Sequence, residues 1–518
     1  MSDYLSLLVQ KILQAPVYKA AEISPLELAP NISEKLGNDI RLKREDLQRV
    51  TSFKIRGAYN CMANLDVASK EKGVITASAG NHAQGIAYSS KLLEIKSKIV
   101  MPITTPSIKV DAVKKFGGSW AEVLLVGENF DQAKSFAINL SQQEYITYVP
   151  PFDHIDVIAG QGTVGKEVFE QWQHIDYIFV PVGGGGLIAG IAAYLSYVAP
   201  EVQVIGVEHE ESACLTEAIR QGKRVILPHV GLFCDGVAVS QIGEITFNIL
   251  NSQKPSHTAK LLEEVVTCSN DEVCAAVKDI YDENRSIVEP SGALALAGLK
   301  KYLEINSLKN KKCVAVVSGS NMDFDTLRYI SERNEIGEKK EAIFAVKIPE
   351  QKGAFLNFCR SLEGRRITEF NYRFNPFTID SAAVFVGIGL KEGKIEHQLI
   401  IEKLNKLNYQ IFDLTDDEIA KNHIRHLIGG HLTEYDELLF SITFPERPNA
   451  LLSFLEKLGN QFNISLFHYR NHGAAEGRVI IGFQENETRL IAIMQALNMI
   501  GYDYQDITNN IGYQIFLG

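Results

Sequence analysis

Four short stretches carry residues whose types and spacing could act together in one chemistry. The first is TSFKIRGAYN (51–60), where Lys54 stands between Phe53 and Ile55. Thr51 and Ser52 are residue types that cap a helix start. Ile55, Ala58, Tyr59 and Met62 follow at helical spacing, which predicts a helix from Lys54 with one apolar face. A lysine at such a helix mouth is either a solvated residue with a buried stem or an amine kept partly out of water for use as nucleophile or base. The second stretch is VGGGGLIAG (182–190), between an apolar run and the helical pattern LIAGIAAYLSYVA. Gly183, Gly184, Gly185, Gly186 and Leu187 could turn successive backbone N–H groups toward one point at the positive end of that helix, as a phosphate cradle would. A plain tight turn is the other reading. No Lys-Ser/Thr follows and no G-x-G-x-x-G is present, so neither a Walker loop nor a dinucleotide fingerprint is read here.

The third stretch is TASAGNHAQG (76–85). Ser78, Ala79, Gly80 and Asn81 offer backbone donors and small polar side chains at a helix start, suited to a carboxylate or a ring hydroxyl, or to ordinary capping. His82 alone reads as structural. The fourth is VVSGSN (316–321), where Ser318 sets a neutral hydroxyl at the end of an apolar run. A lysine, a phosphate cradle, a carboxylate-binding turn and a ring-nitrogen partner are the parts of a pyridoxal-phosphate site.

These stretches need elements to hold them. From Asp39 to about Ser320, short apolar runs alternate with longer helical patterns: GVITASAG (73–80), KIVMPITTP (98–106), YIFVPVGGGG (177–186), VQVIGVE (202–208) and KCVAVVSGS (312–320). Runs apolar on both faces suit parallel strands covered by helices on both sides. The chemistry-bearing residues fall just after the runs, where open α/β sheets bind ligands.

The pattern changes near Glu332. SERNEIGEKKEA (331–342) reads as a linker or a helix end, and beyond it the chain repeats itself. IFAVKIPEQKGAFLNFCRSLEGRRITEFNYRF (343–374) answers LFSITFPERPNALLSFLEKLGNQFNISLFHYR (439–470). VFVG (384–387) answers VIIG (479–482), and NYQIFDLT (408–415) answers GYDYQDIT (501–508). Each copy reads strand, helix, strand, strand, helix, strand, the ferredoxin-like order.

The 518 residues allow roughly three domains at about 150 residues each. A net charge of -11 argues against nucleic-acid and anionic-membrane binding. The seven cysteines (Cys61, Cys214, Cys234, Cys268, Cys274, Cys313 and Cys359) form no CxxC pair, so neither a zinc site nor a disulfide framework is expected. MSDYLSLLVQ lacks the basic and apolar regions of a signal peptide. No apolar run approaches the roughly 20 residues of a spanning helix, and a cytoplasmic protein is expected.

SFKIRGAY, SAGNHAQG, GGGGL and VVSGSN closely resemble the serine/threonine dehydratase family of fold type II pyridoxal-phosphate enzymes. The resemblance runs from PLELAP (25–30) to the C-terminus. It implies an α/β fold: a tryptophan synthase β-like catalytic unit with open, mostly parallel sheets, then two ferredoxin-like, ACT-like regulatory modules. The expected boundaries are 1–332, with a smaller subdomain inserted at about 45–150, then 333–430 and 431–518. The implied cofactor is pyridoxal 5'-phosphate, with no metal.

By the same resemblance, Lys54 bonds the cofactor aldehyde and then serves as general base. Phe53 lies against the ring, Asn81 meets the ring hydroxyl, and Ser318 meets the ring nitrogen. Gly183, Gly184, Gly185, Gly186 and Leu187 hold the phosphate, and Ser78 with its turn holds the substrate carboxylate. Glu208 and Glu289 are further candidates near the ring or substrate, or else a cap or ion pair. The implied reaction is β-elimination of L-threonine, with L-serine as a second substrate, to a 2-oxo acid and ammonia. Isoleucine is the implied inhibitor, valine the opposing effector and a homotetramer the implied assembly. The effector loops would be KGAFLNF (352–358) and PNALLSF (448–454), where Gly353 is kept and Asn449 replaces the corresponding glycine. The same fold also carries serine dehydratases and racemases, and a non-catalytic amino-acid sensor is the reading from another class.

Overall fold

The computed structural model describes residues 2–255, 259–349, 357–358, 361–363, 365, 367–373, 381–426, 436–445, 454, 457–458, 462, 464–470, 476–483 and 485–516. The chain forms two compact units, Met1–Phe324 and Asp325–Gly518.

The first unit holds two sheets. The strands are β1 (Leu26–Leu28), β2 (Asp39–Arg44), β3 (Val74–Ala77), β4 (Ser97–Met101), β5 (Ala121–Leu125), β6 (Thr147–Tyr148), β7 (Tyr177–Pro181), β8 (Gln203–His209), β9 (Glu264–Cys268) and β10 (Lys312–Val317). The larger sheet has the order β1-β2-β10-β7-β8-β9, and the smaller β5-β4-β3-β6. Only β1 runs antiparallel to its neighbour; the other pairings in both sheets are parallel. All five apolar runs are strands. Ile178 and Val180 of β7 join the same core as Ile188 and Ile191 of the helix Gly186–Val198, while Phe179 meets Tyr302 of the helix Pro290–Ile305 edge to face. Both faces of the strand are therefore covered, which is why the run does not alternate.

The helix Lys54–Ala63 departs from its expected form in two ways. Ile55 through Met62 are all buried, polar Arg56 and Asn60 included, so there is no single apolar face. Thr51 and Ser52 do not cap it; the residue before the helix is Phe53, and no side-chain cap is made. Instead Thr51 takes a left-handed φ of 55°, costly for a β-branched residue, and residues 51–53 pair with the end of β10. Phe53 N–H donates to Ser318 O at 3.2 Å, Ser320 N–H donates to Thr51 O at 2.9 Å, and Ser52 bridges Gly319. The threonine and serine that look like caps make a two-strand clasp between distant segments.

Helices meet closely behind this clasp. A Cβ on Gly160, in the helix Ile155–Gln171, would sit 2.5 Å from Arg56 O, and one on Gly190 would sit 2.5 Å from Ile158 O. Bare glycines thus let the lysine helix and the helix after the glycine loop rest on one central helix.

The second unit repeats one motif. The strands β11 (Glu341–Pro349), β12 (Ile367–Arg373), β13 (Ser381–Gly389) and β14 (Gln410–Asp413) form a sheet of order β12-β13-β11-β14. β15 (Leu438–Pro445), β16 (Ile464–Arg470), β17 (Glu476–Phe483) and β18 (Tyr504–Asp506) form one of order β16-β17-β15-β18. All pairings are antiparallel, and each sheet has a register shift at the same place, Ile367/Glu369 and Ile464/Leu466. These are the ferredoxin-like sheets expected from the repeat. Lys394–Lys406 and Leu490–Ile500 are the second helices of the copies. The first helices, with the effector loops, Gly353 and Asn449, lie largely or wholly outside the described residues.

The strand β11 is apolar on both faces. Phe344, Val346 and Ile348 of β11 face the module's own helices, whereas Ile343 and Ala345 join Leu439, Ile480 and Ile507 of the second copy in a shared core. Alternation along the strand produces both surfaces. Thr415 and Thr508 stand in equivalent places; each hydroxyl accepts from the first strand of its copy, Ile343 N and Leu439 N, at 3.0 Å. Among the described residues, no helix is long and apolar enough to cross a membrane.

Candidate active site

The four stretches converge at the C-terminal ends of β3, β7 and β10. Lys54 begins its helix with a partly buried side chain whose Nζ donates to Pro151 O at 3.2 Å and lies 5.2 Å from the Phe53 ring centre. Burial pushes the amine down to about 8; Glu289 opposes this. At that value the uncharged amine is accessible near neutral pH, as a nucleophile or base requires.

Ser78, Ala79 and Gly80 lead from β3 into the helix Asn81–Leu93. Ser78 Oγ accepts only a long 3.3 Å bond from Gly80 N–H, and a Cβ on Gly80 would meet nothing within 4 Å. There is open space beside Gly80, and the first-turn N–H groups of the helix have no intrahelical acceptors. Asn81 is buried; its Nδ2 donates to Glu289 Oε1 at 2.7 Å and its Oδ1 accepts from Asn321 Nδ2. Glu289 is pushed up to about 7, by burial first and then by the charge of Asp235. His82 is buried with Nε2 on Val149 O at 3.2 Å and Nδ1 unpartnered. Burial, then the charge of Lys54, lowers it to about 3, so the ring is neutral.

The glycine loop joins β7 to the helix Gly186–Val198. Gly185 has φ +88°, and a Cβ there would fall 2.7 Å from Ile242 Cδ1 and 2.9 Å from Thr246 Oγ1. Gly184 lies against the Phe152 ring, and its carbonyl accepts from Thr246 Oγ1 at 2.8 Å. Leu187 is buried on the first turn. Gly185→Ala combines a left-handed strain with two steric conflicts, an expected cost of about 2–4 kcal/mol. A lower melting temperature together with at least tenfold weaker pyridoxal-phosphate binding, about 1.4 kcal/mol, is the expected outcome of melting and cofactor titration.

Ser318 closes the site from the end of β10, its hydroxyl donating to Ser291 O at 3.1 Å. Glu208 is placed elsewhere: its carboxylate accepts from Leu215 N, Thr216 N and Thr216 Oγ1 at 2.7–2.8 Å and so holds the helix Cys214–Gln221. Of the two glutamates, Glu289 alone faces Lys54 and Asn81.

Two segments of the site, and the role of Asn321 at the end of VVSGSN, were missed in the sequence. PPFD (150–153) carries the carbonyl that receives the Lys54 amine, the ring under Gly184, and Asp153, which accepts from Glu244 N and Ile245 N. Asn321 supports Asn81. The turn Asp235–Val237 packs on Gly183, with Val237 Cα and O each 2.9 Å from where a Cβ would stand. The doubled proline and the DG pair were the available signals.

The pocket fits a phosphorylated pyridine aldehyde. It offers a desolvated amine, a glycine cradle at a helix N-terminus, and buried Ser52 Oγ, Ser291 Oγ and His82 Nδ1 without protein partners. The fold and this site define a pyridoxal-phosphate-dependent enzyme of the open α/β kind.

Comparison with known proteins agrees and goes further. Residues 17–319 match the family described as pyridoxal-phosphate dependent enzyme, and residues 332–424 and 428–517 match the C-terminal regulatory domain of threonine dehydratase. The chain is 50% identical over 516 residues to the biosynthetic L-threonine dehydratase of Escherichia coli (strain K12), covering 98% of this chain and 96% of that protein. It is 43% identical to the mitochondrial threonine dehydratase of Saccharomyces cerevisiae, covering 98% and 89%. Among solved structures it resembles the processed form of threonine deaminase isoform 2 from Solanum lycopersicum, with 48% identity, a TM-score of 0.61, and coverage of 64% of this chain and 94% of that one. Maize serine racemase is similar at 28% identity and a TM-score of 0.56, covering 62% and 95%. The chain belongs to the family of pyridoxal-phosphate-dependent threonine dehydratases that carry a C-terminal regulatory domain.

Proposed function

We propose that this chain converts L-threonine to 2-oxobutanoate and ammonia, the committed step toward isoleucine, under feedback inhibition by isoleucine. The observation that carries the reading is the meeting of Lys54, the open Ser78–Asn81 turn, the glycine loop and Ser318 at three strand ends, in a chain that also has the doubled tail. The full-length likeness to enzymes named threonine dehydratase supports the choice of substrate.

Pyridoxal phosphate, when bound, supplies the electron sink for charge developing at the substrate Cα. The residues do the rest. Gly183, Gly184, Gly185, Gly186 and Leu187 anchor the phosphate through N–H groups, and Phe53 lines the ring site. The turn at Ser78 receives the substrate carboxylate and aims the Cα–H bond at Lys54. Lys54, its amine desolvated and its uncharged form brought within reach of neutral pH, takes that proton. Asn81, set by Glu289 and Asn321, orients the ring hydroxyl. Ser318 presents a neutral hydroxyl to the ring nitrogen. It cannot hold a proton there as a carboxylate would, so the sink is moderate and prompt loss of the β-hydroxyl is favoured over long-lived carbanion chemistry.

We assign catalysis to residues 1–332, with the smaller subdomain at about 45–150, and regulation to modules 333–430 and 431–518, in line with the family matches. Isoleucine is read as inhibitor and valine as opposing activator, in a cytoplasmic homotetramer that also accepts L-serine. Initial rates over a range of threonine, with and without isoleucine, test this: isoleucine is expected to suppress turnover and valine to restore it. Turnover indifferent to both would refute the regulatory half.

A further inference from the structure

The turn Asp235–Val237 touches three parts of the site at once. Val237 lies under Gly183 of the glycine loop. A Cβ on Gly236 would fall 2.9 Å from Ser291 Oγ and 3.2 Å from Glu289 Oε1, so the turn is seated against the carboxyl that holds Asn81. Asp235 reaches outward, and its Oδ2 pairs with Lys109 Nζ at 2.5 Å.

Lys109 belongs to a different layer. It lies on the helix Ser107–Gly117, whose Val110 and Val113 pack with Ile86 and Ile99 in the core of the smaller sheet. The turn that carries Asp235 joins elements of the larger sheet, between β8 and β9. The pair therefore spans the two halves of the catalytic unit, and the turn on its Asp235 side rests on the glycine loop. Burial alone would lower the Lys109 amine; Asp235, with Glu289 and Asp323 behind it, holds it above its ordinary value.

We propose that the Lys109–Asp235 pair is a latch that holds the smaller sheet closed over Lys54, which makes Lys109 a positioning residue for the reaction. Closing the halves brings the carboxylate-binding turn to the ring site and keeps water from it. Neither side chain needs to touch substrate for this.

The inference rests on the dehydratase reading for its assay substrate, and wild-type turnover measured alongside separates the two failures. The holoenzyme is compared with Lys109→Met, Asp235→Asn, the double variant and Lys109→Arg. The side chains are 20% and 41% exposed, so each variant is expected to fold and melt as wild type does. Each single variant is expected to lower kcat/KM for L-threonine about fivefold, the scale of a part-exposed ion pair, and to release pyridoxal phosphate faster on dilution. The double variant should be no worse than either single one, because both remove the same bond, and Lys109→Arg should restore both readings. Wild-type kinetics and cofactor release in the single variants would overturn the latch, as would losses that simply multiply in the double variant.

Discussion

Lys54→Ala is expected to fold normally and to lose about four orders of magnitude in threonine turnover, the upper range for one acid–base group. The fold survives because the amine contributes one 3.2 Å bond to Pro151 O while its charge is destabilised by burial. Removing a desolvated ammonium costs the structure little. Lys54→Arg should be equally inactive, since a guanidinium does not give up its proton and cannot bond an aldehyde as a primary amine does. Circular dichroism and melting separate this loss from unfolding, and the visible absorbance of lysine-bound pyridoxal should vanish in both variants. Retained turnover in Lys54→Ala would remove the base from the mechanism.

The largest loss of stability is expected two residues along, at Arg56. Its guanidinium is wholly buried and donates to Glu45 Oε1 and Oε2 at 2.8 Å, to Glu167 Oε1 at 2.6 Å and Oε2 at 3.0 Å, to Thr163 Oγ1 at 3.1 Å and to Glu22 O at 3.2 Å. Arg56→Met leaves two buried carboxylates with Lys43 as their remaining cation, and the expected cost is about 3–5 kcal/mol. Arg56→Lys should rescue little, because one ammonium cannot span both acids. Since this network pins the start of the lysine helix, the folded fraction should also turn over more slowly. The acid limb tests the charges directly. Burial would raise the Glu45 carboxyl, but Arg56 and then Lys43 hold it below the usual carboxylate range. Its contribution is therefore full above the unfolded carboxylate pKa and is lost as pH falls through the depressed folded value. Arg56→Met should flatten that part of the stability–pH curve. A melting curve equal to wild type at neutral pH would contradict this role.

What was legible beforehand follows from the range of each signal. Strands β3, β4, β7, β8 and β10 were legible because burial on both faces leaves continuous apolar runs, and Ser78, Asn81, the glycine loop and Ser318 stood out as candidates because they follow those runs directly. The paired regulatory sheets were legible as a repeat, down to the equivalent Thr415 and Thr508. The lysine helix was misread at its start because Thr51 and Ser52 have the chemistry of a cap, and only their partners 318–320, far along the chain, turn them into a clasp. Its buried Arg56 and Asn60 broke the expected stripe for the same reason: their partners come from distant segments such as Glu167 and Asp156 O. Pro151, Phe152 and the 235–237 turn act through residues of other segments, Lys54, Gly184 and Gly183 among them, which local pattern does not reveal. The short helices Glu418–Asn422 and Ile511–Phe516, which follow the last strand of each regulatory copy, lie outside the six-element order and were likewise unread.

The most direct test supplies purified chain with L-threonine, with pyridoxal phosphate first removed and then restored, and measures 2-oxobutanoate and ammonia together. Equal amounts of both products, formed only when the cofactor is restored, are expected. Cofactor-loaded protein that leaves L-threonine untouched, or that inverts it without releasing ammonia, would contradict the threonine dehydratase assignment and favour a racemase-type chemistry at the same lysine.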